Sequence, residues 1–401
     1  MEWLQNIYLP IAGVDIVGWQ LLLIGLTVGI IGGFFGVGGA FMVTPALNVF
    51  GFPMAYAIGT DMAHMAGKSV VATIKHRKLG NVDMKLGLIM VLFTAVGIEL
   101  GATIIMWLEK IGRVGPIVRI VYMVLLFSLG SYMVIEYFKY RSLSKKGHNV
   151  SDAERSGLSV KLSSIKLWPM IHLKKSGVVI SLWIVGGVAV LTGFIAGFLG
   201  VGGGFIRMPA LMYIIGCPTT IAVGTDLFEV MISGAYGAFS YAMKGRVEIF
   251  AAVIMLVGAA VGAQFGTLAT KYVKGLTIRL YFAVTMLLAG VSVVFKHISS
   301  DYKYVYEKSL LEWAKIQSGI ADKADLKDWV LINKSAVKGW MAQQSDVFQH
   351  AALLEKLWNS YAGYLMLGSA CALSAVIVIK MLRGVALERR LNRTGEIHST
   401  F

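Results

Sequence analysis

The side chains in this sequence able to do chemistry are few, and they fall where charge is expensive. Asp61, His64 and Lys68 stand at i, i+3 and i+7 within an otherwise apolar stretch, 54–74, so they share one helix face. Asp226, Glu229 and Ser233 repeat those spacings within a second stretch, 218–242. Glu99 and Arg207 complete the set. Ionisable groups inside a spanning segment are costly, and they mark pathways for ions or substrates. The carboxylates and the imidazole can exchange protons, and Arg207 can offset the charge of an anion. Each group also has a plainer reading. Lys68 can snorkel toward the basic loop at 75–78. His64 can satisfy a carbonyl. Asp61 and Asp226, which follow Gly-Thr, can cap or pair within the fold.

The elements that carry these residues are membrane helices. Of the 401 residues, 57% are apolar and only 15% charged, against ~45–50% and ~25% in soluble domains. This excludes a cytosolic enzyme, a disordered scaffold and a disulfide-stapled secreted domain. Apolar runs cover about 18–35, 54–74, 86–107, 116–138, 177–199, 218–242, 249–270, 277–295 and 360–382, each close to the ~20 residues that cross a bilayer. The net charge of +15 fits basic loops on the cytoplasmic side, not a nucleic-acid partner. Cys217 and Cys371 lie in apolar runs, which argues against a disulfide or zinc site. No cleavable signal peptide is expected, since Met1–Gln20 has no basic leader.

Two pieces, 40–50 and 204–215, are apolar but too short to span, and each follows a glycine cluster and holds a proline. The residues of 33–41, GFFGVGGAF, match GFLGVGGGF at 197–205 at an offset of 164, as does Pro45 with Pro209. Gly59-Thr60-Asp61 meets Gly224-Thr225-Asp226 at 165, and Gly97 with Gly101 meets Gly262 with Gly266. The chain is therefore an internal duplication. The clusters Gly36, Gly38, Gly39 and Gly200, Gly202, Gly203, Gly204 do not fit a dinucleotide fingerprint. They predict breaks in membrane helices, tolerated where backbone lines a cavity. The half-helices after them would aim positive ends at an anion. Close packing through small residues is the alternative.

If each short piece folds back, three crossings follow, and the second copy is upside down. Basic residues agree: nine lie in 139–176 and several in the tail, whereas none precedes residue 17. The expected architecture is an all-α polytopic membrane protein of two inverted repeats. Each repeat is a broken-helix hairpin plus three spanning helices. The expected divisions are repeat 1 at 17–140, a basic cytoplasmic linker at 141–176, and repeat 2 at 177–296. An extracytoplasmic helical insert at 297–358, a further spanning helix at 359–383 and a basic cytoplasmic tail at 384–401 complete the chain.

The glycine break, the proline, Gly-Thr, the links Gly-Asn-Val-Asp (80–83) and Lys-Gly-Arg-Val-Glu (244–248), and the Gly-x-x-x-Gly helix recur in order. In this series the chain resembles the TauE/SafE family of sulfite exporters, over about 250 residues. The resemblance implies secondary transport of a small anion, such as sulfite, a sulfonate or a related organic acid. It also implies binding elements at the two glycine breaks with Thr60 and Thr225. The sequence departs from the commoner pattern in having aspartate after Gly-Thr, in the long insert and in the added helix.

The expectation is an exporter, multi-pass in the cell membrane, whose anion sits at the midplane between two half-helix N-termini. Gly36, Gly38, Gly39, Thr60, Gly200, Gly202, Gly203, Gly204, Arg207 and Thr225 would bind it, with Asp61, His64, Lys68, Asp226 and Glu229 in ion coupling. Partners are the substrate and the lipid, with no nucleic acid, no cofactor and no resident metal; oligomeric state stays open. The alternative is a proton- or sodium-coupled cation or divalent-metal transporter using the carboxylates and His64. No HExxH, CxxC or nucleophile–base motif supports an enzyme.

Overall fold

A computed structural model describes residues 6–35, 40–145, 167–201, 203–273, 275–320 and 346–394, with short pieces between 329 and 339. Before the first membrane helix stands a hairpin, β1 (Ile7–Leu9) and β2 (Val14–Ile16), pairing Ile7 with Ile16 and Leu9 with Val14. Then come α1 (Gly18–Phe35), α2 (Ala40–Val49), α3 (Met54–Lys78), α4 (Met84–Lys110) and α5 (Val114–Lys145). The order then repeats. A second hairpin, β3 (Met170–Leu173) and β4 (Val178–Ser181), leads into α6 (Leu182–Leu199) and α7 (Gly204–Ala210), which runs on as a π turn over Leu211–Ile215. After these come α8 (Thr219–Met243), α9 (Ile249–Ala269), α10 (Gly275–Ser318) and α11 (Asp346–Thr394).

The hairpins extend the duplication outward beyond the expected start at 17. Ile7, Leu9, Gly13, Val14 and Ile16 correspond to Ile171, Leu173, Gly177, Val178 and Ile180 at an offset of 164. Gly13 and Gly177 both turn with positive φ, 66° and 64°, a conformation glycine adopts without steric cost.

Small residues decide which helices meet. On α1, Gly25, Gly29 and Gly33 lie against Met255, Ala259 and Ala263 of α9; a Cβ on Gly29 would stand 2.6 Å from the Ala259 Cα. On α6, Gly193 and Gly197 lie against Thr94 and Ile98 of α4, with a Cβ on either 2.8 Å from the facing Cα. Residue numbers rise together in both seams, so these pairs run parallel. In the α3–α8 seam they run oppositely: Gly59 meets Tyr241, and Gly237 meets Met62. The α5–α10 pair is antiparallel too, with Gly130 against Ala283 and Leu287 and Gly290 against Phe127.

Among the described residues, seven helices are long and apolar enough to span a membrane: α1, α4, α5, α6, α9, and parts of α10 and α11. Nine runs were expected. The two that fall short are α3 and α8, the helices bearing the polar triads, and the turns that carry those triads are enclosed by the others. Asp61, His64, Asp226 and Glu229 are wholly buried. Leu92, Val124, Ile135 and Val253 are well exposed on the helices around them, apolar surface that suits acyl chains. The helix expected to end near 295 continues to Ser318. It packs antiparallel to α11 through Ser292 Oγ–Ala362 O (2.7 Å) and Lys296 Nζ–Asn359 Oδ1 (2.6 Å). At ~1.5 Å per residue such helices outrun a ~30 Å hydrocarbon layer.

Candidate functional site

The two enclosed helices start alike. Pro53 and Pro218 precede α3 and α8, and nearly two turns in stand Thr60 and Thr225. The Thr60 hydroxyl accepts the Glu248 N–H at 3.0 Å, and the Thr225 hydroxyl accepts the Asp83 N–H at 2.9 Å. Each threonine thus holds the link that enters a helix of the other copy. The carboxylates behind those N–H groups take the hairpin turns. Glu248 accepts from the N–H groups of Ile11 (2.9 Å) and Ala12 (3.1 Å). Asp83 accepts from the Ser176 hydroxyl at 2.7 Å and caps α4 through Leu86 N at 3.1 Å. The observed bonds of Thr60 and Thr225 join the two copies; as acceptors, their own hydroxyl protons stay available for donation.

A turn deeper the copies differ. In the first, the Thr44 hydroxyl of α2 donates to Asp61 Oδ2 at 2.9 Å, and His64 Nδ1 lies 3.7 Å from Asp61 Oδ1. Lys68, 2% exposed, follows on the same face. Neither its ammonium nor either His64 nitrogen has a hydrogen-bond partner in the protein. In the second, Arg207 reaches from α7 to α8: its Nη1 pairs with Asp226 Oδ1 at 3.3 Å and with Glu229 Oε2. Ser233 donates to the same Glu229 oxygen at 3.1 Å. Arg207 Nε and Nη2 make no hydrogen bond to protein, and Nη2 lies 2.6 Å from where a Cβ on Gly203 would be. Residues expected to work together are therefore gathered into two clusters.

The second helix break is explicit. The α6 helix ends at Leu199 with Gly200 in the left-handed region (φ 78°), Gly203 follows at φ 76°, and Gly204 opens α7. A Cβ on Gly200 would lie 2.6 Å from the Ile58 Cα and 2.8 Å from Thr44 Oγ1. The break of the second copy thus abuts the Asp61 cluster of the first. The Tyr122 hydroxyl donates to the terminal Leu199 carbonyl at 2.8 Å. In the first copy, α1 stops at Phe35 and α2 starts at Ala40. Gly36, Gly38, Gly39 and Gly202 lie outside the described residues.

Glu99 does not join either cluster. Its side chain is 44% exposed and paired with Lys244 (2.7 Å) and the Ser240 hydroxyl (2.6 Å). The central carboxylates are then Asp61, Asp226 and Glu229, and Arg207 engages two of them. Among the described residues no three His, Cys, Asp or Glu side chains converge as a metal site. Sequence reasoning missed Thr44 and Tyr122, which carry no charge, and Arg119, a buried cation inside the run 116–138. The rule that singled out Lys68 would have found Arg119 as well.

The model of the sulfite exporter TauE/SafE family matches residues 21–293, both copies from α1 to α10. The chain belongs to the TauE/SafE family. It is similar to the probable membrane transporter protein YunE of Bacillus subtilis, 24% identical over 70% of this chain and 98% of that one. A probable membrane transporter protein of Xylella fastidiosa strain 9a5c is 27% identical over 62% of this chain and 82% of its own. Methanocaldococcus jannaschii MJ0441, also a probable membrane transporter protein, is 26% identical over 55% and 71%. No solved structure matches the chain. This TauE/SafE member is a multi-pass membrane transporter and not an enzyme.

Proposed function

We propose that the chain is a secondary transporter that exports a small anion, sulfite or a sulfonate, from a midplane site between its two copies. The observation that carries the reading is the pairing of a glycine break with buried cations whose donors are unspent: Lys68 Nζ, and Nε and Nη2 of Arg207. A cation buried without a partner is costly, and a bound anion would supply the missing acceptor. Gly203 offers backbone close to Arg207 and Gly200 backbone close to Thr44, Gly204 joins them in the proposed set, and Thr60 and Thr225 retain protons to donate. Gly36, Gly38, Gly39 and Gly202 complete the proposed binding set.

The seams support inversion of the repeats. Corresponding helices α3 and α8 run antiparallel, while α1 runs with α9 and α4 with α6, as copies pointing opposite ways would. Rocking of one copy against the other would then alternate access. Basic ends at 139–176 and in the tail put those segments in the cytoplasm. Export of an anion from a negative interior gains ~2.3 kcal/mol per charge per 100 mV, so coupling demands are modest. Asp61, His64, Asp226 and Glu229 are the groups able to carry a coupling proton.

The test is flux in proteoliposomes with an imposed potential, over a panel of sulfite, sulfonates and carboxylates. Sulfite or a sulfonate should move with the potential, and Lys68→Met should lose that flux while eluting as a folded protein. Movement of divalent cations in place of anions, or full flux in Lys68→Met, overturns the reading.

A further inference from the structure

A second set of unpaired cations lies away from the central clusters. Pro45, Asn48 and Val49 of α2, Arg119 and Tyr122 of α5, and Lys296 of α10 line a narrow cavity. Arg119 is 6% exposed, yet its Nε has no hydrogen-bond partner and its Nη1 makes one long bond, 3.4 Å, to Asn48 Oδ1. The Asn48 amide is oriented for this, because its Nδ2 donates to the Phe52 carbonyl at 3.0 Å. Lys296 donates to a neutral amide, Asn359 Oδ1. Asp301 faces Arg119 and Glu355 faces Lys296 electrostatically, but neither acid forms an ion pair with its cation: Asp301 is 69% exposed and turned to His297 at 4.0 Å. Two cations facing one cavity, with amide oxygens alone as acceptors, leave an acceptor site open.

The other copy shows what is missing. Reciprocal packing of Gly130 and Gly290 aligns α5 with α10 at an offset of 160. In that register Arg119 corresponds to Arg279, but Lys296 corresponds to an acid, Glu136. Glu136 accepts a hydrogen bond from the Tyr213 hydroxyl. At this position one end of the duplicated frame thus carries a carboxylate and the other a lysine.

We propose that the cavity between α2, α5 and α10 binds a small inorganic oxyanion through Arg119 and Lys296, as an anteroom to the central site. Its walls connect the two: Tyr122 reaches the Leu199 carbonyl at the helix break, and Pro45 follows Thr44, the donor to Asp61. The reversal of charge between Lys296 and Glu136 draws an anion to one end of the transporter only. The choice of an oxyanion rests on the anion-transport reading; the site rests on its own unpaired cations.

Purified full-length protein in nanodiscs is titrated with sulfite and, separately, sulfate. Arg119→Gln should weaken binding at this site about tenfold or more. Lys296→Glu, which copies the other end and gives Arg119 an internal partner, should abolish that binding, keep Lys68-dependent binding and leave the melting midpoint unchanged or raised. Wild-type binding retained in both variants but lost in Lys68→Met overturns the anteroom and leaves the central site standing. Absence of sulfite and sulfate binding in the wild type overturns the anteroom, and the proteoliposome flux then decides the transport reading separately.

Discussion

The two copies share a frame and differ in how they hold charge at its centre. In the second, Arg207 comes from the short helix α7, bonds Asp226 and Glu229 on α8, and ties the two elements together. In the first, Val43 stands at the corresponding place, and the cation moves onto the long helix as Lys68, beside Asp61 and His64 but bonded to neither. A crosslinked cluster resists rearrangement, whereas a cluster of unspent donors and acceptors is free to take a ligand or a proton. Duplication conserves the seams and threonine locks, and substitution at a few polar positions ties one half together by ion pairs and leaves donors and acceptors unspent in the other.

The largest test of this contrast is removal of each cation. Arg207→Met leaves two buried carboxylates without their partner and should cost roughly 3–5 kcal/mol, read as a large fall in the melting midpoint of the detergent-solubilised protein. Lys68→Met removes a charge that bonds nothing and should shift the same midpoint by about 1 kcal/mol or less. Equal losses in the two variants would abolish the distinction between a locked and an open half.

The shared frame makes a symmetrical prediction. Thr60→Val and Thr225→Val each strand one buried backbone N–H, of Glu248 and of Asp83, at a cost of about 1–3 kcal/mol. The two should be destabilised by the same amount in chemical unfolding; a one-sided effect would mean that the locks are not equivalent. The smallest effect belongs to Glu99→Gln. This partly exposed pair with Lys244 should contribute ~0–1 kcal/mol, and flux through the variant should match the parent. A loss of transport there would return Glu99 to the pathway.

The repeat, the break at Gly200–Gly204 and the buried charges of α3, α7 and α8 were readable from residue types and offsets, because rare glycines, prolines and charges survive as a pattern among greasy neighbours. The hairpins were not, since strands of three and four residues vanish within windows sized for membrane spans. Neither was the continuity of α10 past residue 296: polar composition signals exit from the lipid, not the end of a helix. Asp61, His64 and Lys68 could be put on one face by spacing, yet spacing is silent about partners. That Arg207 holds Asp226 and Glu229, that Thr60 grips a link 188 residues away, and that Glu99 faces outward to Lys244 depend on which helices pack together. Local periodicity sets what one helix presents; long-range packing selects which group receives it, and only folded coordinates contain that choice.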